Sequence, residues 1–471
     1  MQFDAIVIGS GPNGLSSAIR LAQKKLKVKI FEAKDTIGGG GRTAELTLPG
    51  FKHDICSAIH PLAIGSPFLK NLPLDKFGLE WVHPPAAVCQ PFDDGTALSI
   101  SKSIEDSAEC FGDDYDAYKK MMEPLVKNWH LIESDLLGPL RIPKHPFAAA
   151  RFGYYALFPA ESFIKRFKNE KIKSFFLGLA AHAVLPLNNI LTTAIGLVLA
   201  IYAHKYGWPF PKGGTQSLSD AMASYFISLG GEIETNKEIK SLSELPSAKA
   251  YLFDVTPKQL LNIAGNSLSK RYISSLKKFK YGPGSFKMDF AMDGAIPWKA
   301  EACRKTATVH IGSTAEEIIS SEKCAWQGKL SPRPFLIVAQ QSLFDNTRAP
   351  KDKHTVWAYC HVPKNFSGNA EELIKNQIER FAPGFKKLIL AQKVHTPADL
   401  ENYNPNYIGG DINGGAQTWD QIFTRPSLSF TPYRTSAKGI YICSSSTPPG
   451  GGVHGMCGYH AAETVLKDLF E

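Results

Sequence analysis

No two cysteines of this chain are spaced as CxxC. The eight present (Cys56, Cys89, Cys110, Cys303, Cys324, Cys360, Cys443, Cys457) are scattered, which excludes a dithiol redox centre and the common zinc-ligand spacings. Free thiols in a reducing compartment are expected. There is also no clean apolar run of the ~20 residues that a spanning helix needs. The longest candidate, residues 175–202, is interrupted by Pro186-Leu187-Asn188-Asn189 and reads as two buried helices. Basic residues outnumber acidic ones by 53 to 44, a net charge of +9, yet no basic run is dense enough to bind nucleic acid. The excess fits solvated lysines, with anionic lipid or an acidic substrate as the other readings. No G-x-S-x-G elbow follows a strand, so a Ser-His-Asp hydrolase has no support. Internal repeats and low-complexity segments are missing as well. At 471 residues the chain fits two or three domains of ordinary globular composition. The first strand starts almost at the initiator methionine, so neither a secretory signal nor a cleavable presequence is expected, and the cytoplasm is the expected compartment.

Glycine, by contrast, is clustered where it can do chemistry. Ala5 to Ile8 is a β-branched run suited to a buried parallel strand. It stops at Gly9-Ser10-Gly11-Pro12-Asn13-Gly14, a G-x-G-x-x-G, after which Leu15 to Lys25 reads as a helix and Val28 to Phe31 as a second strand. Gly9 makes the tight turn, Gly11 lets a pyrophosphate approach the backbone, and Gly14 lets helix and strand pack closely. The helix N-terminus offers free N–H groups and the positive end of its dipole. Glu32-Ala33 closes the second strand, 18 residues past Gly14, where a carboxylate can accept both ribose hydroxyls. A negative charge there also disfavours a 2′-phosphate. The strand–loop–helix context and the acid in register point to a dinucleotide.

Gly38-Gly39-Gly40-Gly41-Arg42-Thr43 adds a second glycine cluster with an arginine, suited to a second clamp on a larger ligand. GG-x-x-RT after an N-terminal Rossmann unit resembles the FAD-binding signature of the amine oxidase and phytoene desaturase superfamily. The resemblance implies FAD as cofactor, held in part by Gly39, Gly40, Gly41, Arg42 and Thr43. Residues 258–420 hold no second G-x-G-x-x-G after a strand, and Gly409-Gly410-Asp411 and Gly414-Gly415 read as loop. That argues against a separate NAD(P)H domain.

Farther along, Phe92-Asp93-Asp94-Gly95 reads as a hairpin turn. A polar helical stretch from Ser103 to Leu137 leads into a second, substrate-facing domain. Residues 141–172 mix basic and aromatic side chains, and a peripheral membrane contact is one reading of them; a helical surface with its aromatics turned to the core is the other. Gly207 to Gly214 is strong turn punctuation, followed by a helix from Ser217 to Leu229 ending at Gly230-Gly231. Glu232 to Ile239 reads as a strand and Ala250 to Val255 as another. This block resembles the superfamily's second flavin segment, which implies main-chain contacts from Glu238 and Ile239 to the adenine.

The last segment repeats the logic of the first: Gly439 to Cys443 as a strand, a glycine loop, then a helix from Cys457 to Phe470. The stretch Pro448-Pro449-Gly450-Gly451-Gly452-Val453-His454-Gly455 is similar to the C-terminal flavin motif of the phytoene desaturase family. It implies that Gly451, Gly452, Val453, His454 and Gly455 border the flavin ring, where a helix dipole favours negative charge. Pro448 stands where the carotenoid enzymes usually carry histidine, and His454 follows the valine. His60 and His454 fall in segments expected beside the flavin and are the catalytic candidates, able to move a proton or hydrogen-bond the ring. Each reads more readily as a satisfied loop histidine.

The fold expected is α/β. A Rossmann-type FAD-binding domain of the amine oxidase/phytoene desaturase kind is drawn from residues 1–70, 205–275 and 420–471. An α+β substrate domain is interleaved from 71–204 and 276–419, its apolar helical part at 140–204. The function expected is FAD-dependent oxidoreduction, desaturase or isomerase in type, on a hydrophobic polyene- or lipid-like small molecule. A flavin amine oxidase using O2, or a non-catalytic FAD-containing adaptor, are the alternatives.

Overall fold

The structure is a computed structural model and describes residues 2–471. Its organising element is a five-stranded parallel sheet whose strands come from three distant parts of the chain. Their spatial order is Ile440–Ile442, Ala248–Phe253, Phe3–Ile8, Val28–Phe31 and Glu232–Glu234. The central strands are buried on both faces, which is why their sequences are nearly continuous apolar runs. Helix Pro12–Ala22 begins with proline in its first turn, where a missing N–H costs nothing. Against it packs the last helix, Met456–Leu469. The two approach so closely at Gly458 that a Cβ there would lie 1.8 Å from the Asn13 carbonyl oxygen. Only glycine allows that contact.

A seven-stranded sheet forms the second layer, in the order Ile389–His395, Gly284–Met292, His354–Val362, Leu336–Ala339, Thr308–Ile311, Val88–Pro91 and Ala97–Ile100. Its pairings are antiparallel except where Thr308–Ile311 meets Val88–Pro91. Asp93 to Gly95 turn the last two strands into a hairpin, with Gly95 at φ +82°. One face of this sheet closes on a core with helix Glu371–Phe381. The other turns toward a helical layer built from Tyr115–Leu136, Pro146–Ala156, Glu170–Ala180 and Thr192–Tyr206.

The apolar stretch of 175–202 is two helices, separated by residues 181–191 with Val184 and Leu191 at positive φ. Among the described residues no helix is long and apolar enough to cross a membrane. The strand expected over Glu232 to Ile239 stops at Glu234. Asn236 takes φ +56°, which turns the backbone out of the sheet, and residues 237–240 run along a cavity instead.

Candidate functional site

Above the carboxyl ends of the parallel strands lies a cavity of about 580 Å³, within the range that holds cofactors and drug-sized ligands. Two glycine segments meet at its floor. Gly9 turns the first strand at φ +100°, a conformation that disfavours any side chain. A Cβ on Gly39 would sit 2.9 Å from the Gly11 Cα, and one on Gly11 would sit 2.6 Å from Asp254 Oδ2. The cradle therefore admits a ligand against bare backbone and nothing larger from the protein side.

Gly9, Gly11, Pro12, Asn13, Glu32, Ala33, Gly39, Gly40, Arg42, Glu238, Ile239, Gly451, Gly452 and Val453 all line this cavity. Gly14, Gly41, Thr43, His454 and Gly455 stand behind the wall and shape it. The Gly14 N–H donates to Asp254 Oδ2 at 2.9 Å, and the Gly41 carbonyl accepts from Ser219 Oγ at 2.9 Å. Thr43 Oγ1 donates to Asp54 at 2.7 Å. Gly455 takes φ +67° where the last helix begins, close enough that a Cβ would meet Ser16 Oγ at 2.1 Å.

Glu32 is held as an acceptor. Its Oε2 receives the Ser10 N–H at 3.0 Å and the Ser10 hydroxyl at 2.6 Å, while Oε1 receives the Lys34 N–H at 3.0 Å. The Arg42 guanidinium lies 3.1 Å from the same carboxylate. A bidentate grip on phosphate is the role expected of Arg42, and the geometry differs. Its N–H groups donate to the carbonyls of Thr36, Ile37 and Gly39, and its plane lies 5.5 Å from the Tyr403 ring. A guanidinium this buried must find partners for its fixed fork of donors, and the glycine loop's carbonyls supply them. Arg42 thus staples the loop and keeps its charge at the cavity wall.

Asp254 packs against Gly9, Gly11 and Gly14 at the end of its strand. Burial pushes its carboxyl up to about 7, aided by the neighbouring Glu32 charge and opposed by the Gly14 N–H. His60 lines the cavity. Its Nε2 lies 2.9 Å from Thr215 Oγ1 and its Nδ1 3.3 Å from Ser57 Oγ, and burial lowers it to about 4, so it is neutral at neutral pH. His454 is also lowered to about 4 by burial. Its Nδ1 accepts the Met456 N–H at 3.0 Å, so it caps the start of the last helix.

Several cavity residues carry no more sequence signal than the aromatic tone of Asn404-Pro405-Asn406-Tyr407. Tyr403, Asn406 and Tyr407 come from a stretch with no motif, yet the Tyr403 hydroxyl donates to the Gly39 carbonyl at 2.8 Å. The cavity then continues past the closing glycine loop into an apolar chamber lined by Leu199, Trp208, Ile337, Trp357 and Tyr359. These come from the helical layer and the seven-stranded sheet. For Trp357 and Tyr359 the sequence alone leaves core and hydrophobic-ligand wall equally open.

The residues present fit a long flavin dinucleotide. The glycine cradle suits a pyrophosphate, Glu32 suits a ribose, and the buried Asn13 Oδ1 has no protein partner. Residues 7–68 match the family model described as NAD(P)-binding Rossmann-like domain. The mouse pyridine nucleotide-disulfide oxidoreductase domain-containing protein 2 is 26% identical, over 99% of this chain and 94% of its own length. A neurosporene-forming phytoene desaturase of Rhodobacter capsulatus is 24% identical over 96% and 92%. Among solved structures, cyclohexylamine oxidase from Brevibacterium oxydans superposes with a TM-score of 0.61 at 13% identity, covering 100% of both chains. With glycine cradle, ribose acid and closing glycine loop around one cavity, the chain is homologous over nearly all of its residues to phytoene desaturases and has the amine oxidase-type fold.

Proposed function

We propose that this protein is a desaturase- or isomerase-type oxidoreductase acting on a long apolar substrate. The observation that carries the reading is continuity: the cavity bordered by Gly11 and Glu32 at one end is bordered by Leu199, Trp208, Ile337, Trp357 and Tyr359 at the other. A hydrocarbon chain placed against these side chains loses its water. FAD, when bound, supplies the hydride acceptor. The protein's own work is binding, orientation and exclusion of water. Gly11 and Gly39 let phosphates approach backbone N–H groups, and the N-terminus of helix Pro12–Ala22 favours their charge. Glu32, fixed by Ser10, Lys34 and Arg42, offers acceptor lone pairs to sugar hydroxyls. His60, neutral and partnered on both ring nitrogens, acts as a hydrogen-bonding wall element. His454 acts through the geometry of the glycine loop.

Amine oxidation is the second reading, favoured by the aromatic walls of the chamber, where the Trp357 and Tyr359 ring centroids lie 4.9 Å apart. None of the five chamber residues named above is anionic, which favours an uncharged apolar substrate over an ammonium group.

Such a substrate dissolves in lipid, and an exposed apolar surface supports a peripheral membrane contact through residues 141–172. Ile142 and Phe147 are 92% and 91% exposed, with Leu140, Tyr154 and Leu157 also outward. Arg141, Lys144 and Arg151 stand among them. Apolar side chains ringed by cations match an anionic bilayer surface.

Anaerobic mixing of the FAD-loaded protein with fractionated lipid extract tests the function. Bleaching of the oxidised flavin by a polyene or acyl fraction is expected. Bleaching by amines alone, with peroxide released on admitting air, supports the second reading, and no bleaching by any fraction overturns both.

A further inference from the structure

Helix Glu170–Ala180 approaches the seven-stranded sheet through Gly178, where a Cβ would lie 2.7 Å from Gln90 Oε1 and 3.2 Å from His310 Nδ1. Only glycine permits that approach. It sets His182, just past the helix, against His310 of strand Thr308–Ile311, with the two Nε2 atoms 3.0 Å apart. His310 is fully buried, whereas His182 is partly buried and lines the cavity with Trp208. Burial keeps both rings neutral, that of His182 lowered to about 3. Two neutral rings in this contact share one N–H···N bond, so one ring donates and the other accepts.

The direction of that bond follows from the groups behind it. Ser174 Oγ donates to the Ser313 carbonyl at 2.7 Å, and so accepts from Gln90 Nε2 at 2.6 Å. The Gln90 amide is thereby fixed with Oε1 toward the Gly178 gap. There Oε1 and His310 Nδ1 are both buried without a hydrogen-bond partner. An oxygen acceptor at that gap favours the His310 tautomer with its hydrogen on Nδ1. His310 Nε2 is then bare and takes the N–H of His182 Nε2, which leaves His182 Nδ1 as a lone pair. Among the described residues this atom has no hydrogen-bond partner. Unlike Gln90 Oε1 and His310 Nδ1, it keeps accessible surface, on a side chain that lines the cavity. Charges on the same sheet face are paired: Lys287 with Asp289, beside Tyr359 and Trp357, and His361 with Glu322.

We infer that His182 is a hydrogen-bond acceptor of the chamber, selecting an otherwise apolar substrate that carries a hydroxyl group. A carbonyl or ether oxygen would set lone pair against lone pair, and a hydrocarbon would leave the nitrogen bare. His310 and Gln90 act behind it by setting its tautomer. The inference rests on the proposed oxidoreductase reading and narrows its substrate class.

The test is equilibrium binding to the FAD-loaded protein of farnesol, its methyl ether and farnesal. All three carry an oxygen on one carbon skeleton, and only farnesol donates a hydrogen bond. Farnesol is expected to bind at least about 10-fold tighter than either of the others, since a hydrogen-bonding site discriminates against ligands that leave it unpaired. His182→Phe should shrink that ratio at least about 3-fold, while the ether binds as before. Histidine-selective nitrogen NMR reads the tautomers: hydrogen on Nε2 of His182 and on Nδ1 of His310 is expected. The wild-type affinities and spectra carry the test if His182→Phe loses its flavin and fold. Farnesal or the ether binding as tightly as farnesol, an unchanged ratio in folded His182→Phe, hydrogen on His182 Nδ1, or no binding by any of the three overturns the inference. If it falls while hydrocarbons bleach the flavin, the oxidoreductase reading stands. If farnesol is preferred as expected while no apolar fraction bleaches the flavin, the acceptor site stands and the oxidoreductase reading falls.

Discussion

The Arg42 guanidinium lies 3.1 Å from the Glu32 carboxylate, and the two side chains are only 5% and 8% exposed. Each also satisfies the glycine loops: Glu32 takes the Ser10 and Lys34 N–H groups, and Arg42 takes the Thr36, Ile37 and Gly39 carbonyls. Removing one partner strands the other. Arg42→Met should destabilise the protein by about 3–5 kcal/mol, the usual cost of an unpaired buried charge. Glu32→Gln should cost less stability but weaken FAD binding by roughly 10-fold, as expected if the carboxylate serves a sugar. Urea unfolding and fluorescence titration of released flavin check the two arms.

Gly11→Ala tests the cradle. Its Cβ would lie 2.6 Å from Asp254 Oδ2, so the loop expected to hold the pyrophosphate would have to shift. Flavin occupancy after purification should fall sharply, with a stability loss of about 1–3 kcal/mol from overpacking. Full flavin loading of this variant would contradict the placement of the phosphates.

Asp254 gives a pH dependence with a definite sign. Its carboxyl is raised by burial to about 7, against 3.8 for a free side chain. Between those values the folded state holds a proton that the unfolded state has lost, so stability falls as pH rises through that window and levels off above it. The contribution is on the order of 4 kcal/mol at most. Asp254→Asn keeps an acceptor for the Gly14 N–H and removes the titration. It should match the wild type near pH 4 and exceed its stability by roughly 2–4 kcal/mol at pH 8. Denaturant midpoints at the two pH values decide it.

How much of this was legible in the chain depends on range. Gly9 to Gly14, Glu32 and the closing Gly451 to Val453 announce themselves because strand, tight turn and helix start are local events with local residue demands. Arg42 was visible as a residue but not as a role. That role depends on the carbonyls of residues 36–39 and on Tyr403, which is 361 positions away. The same holds for Tyr403 and Tyr407. Trp357 and Tyr359 read in the sequence either as core or as walls of an apolar ligand site, and only the fold sets them at the cavity beside Leu199 and Trp208. The strand lost after Glu234 turns on Asn236, whose tolerance of positive φ is a known habit of asparagine rather than a signal by itself.

The membrane contact is tested on the exposed surface itself. Ile142→Ser with Phe147→Ser removes two almost fully exposed apolar side chains that pack against little. Stability should change by less than about 0.5 kcal/mol, as surface changes do. Cosedimentation with anionic vesicles should drop at least about 10-fold, by loss of the buried apolar area. Unchanged vesicle binding would place any contact elsewhere.

The central claim is that three distant stretches of chain enclose a single FAD. Its most direct measurement is the absorbance spectrum and flavin-to-protein ratio after purification with excess FAD and removal of free cofactor. A yellow protein carrying about one FAD per chain, released on denaturation, is the result expected of a cofactor cavity this size. A colourless protein that retains no flavin would contradict the account.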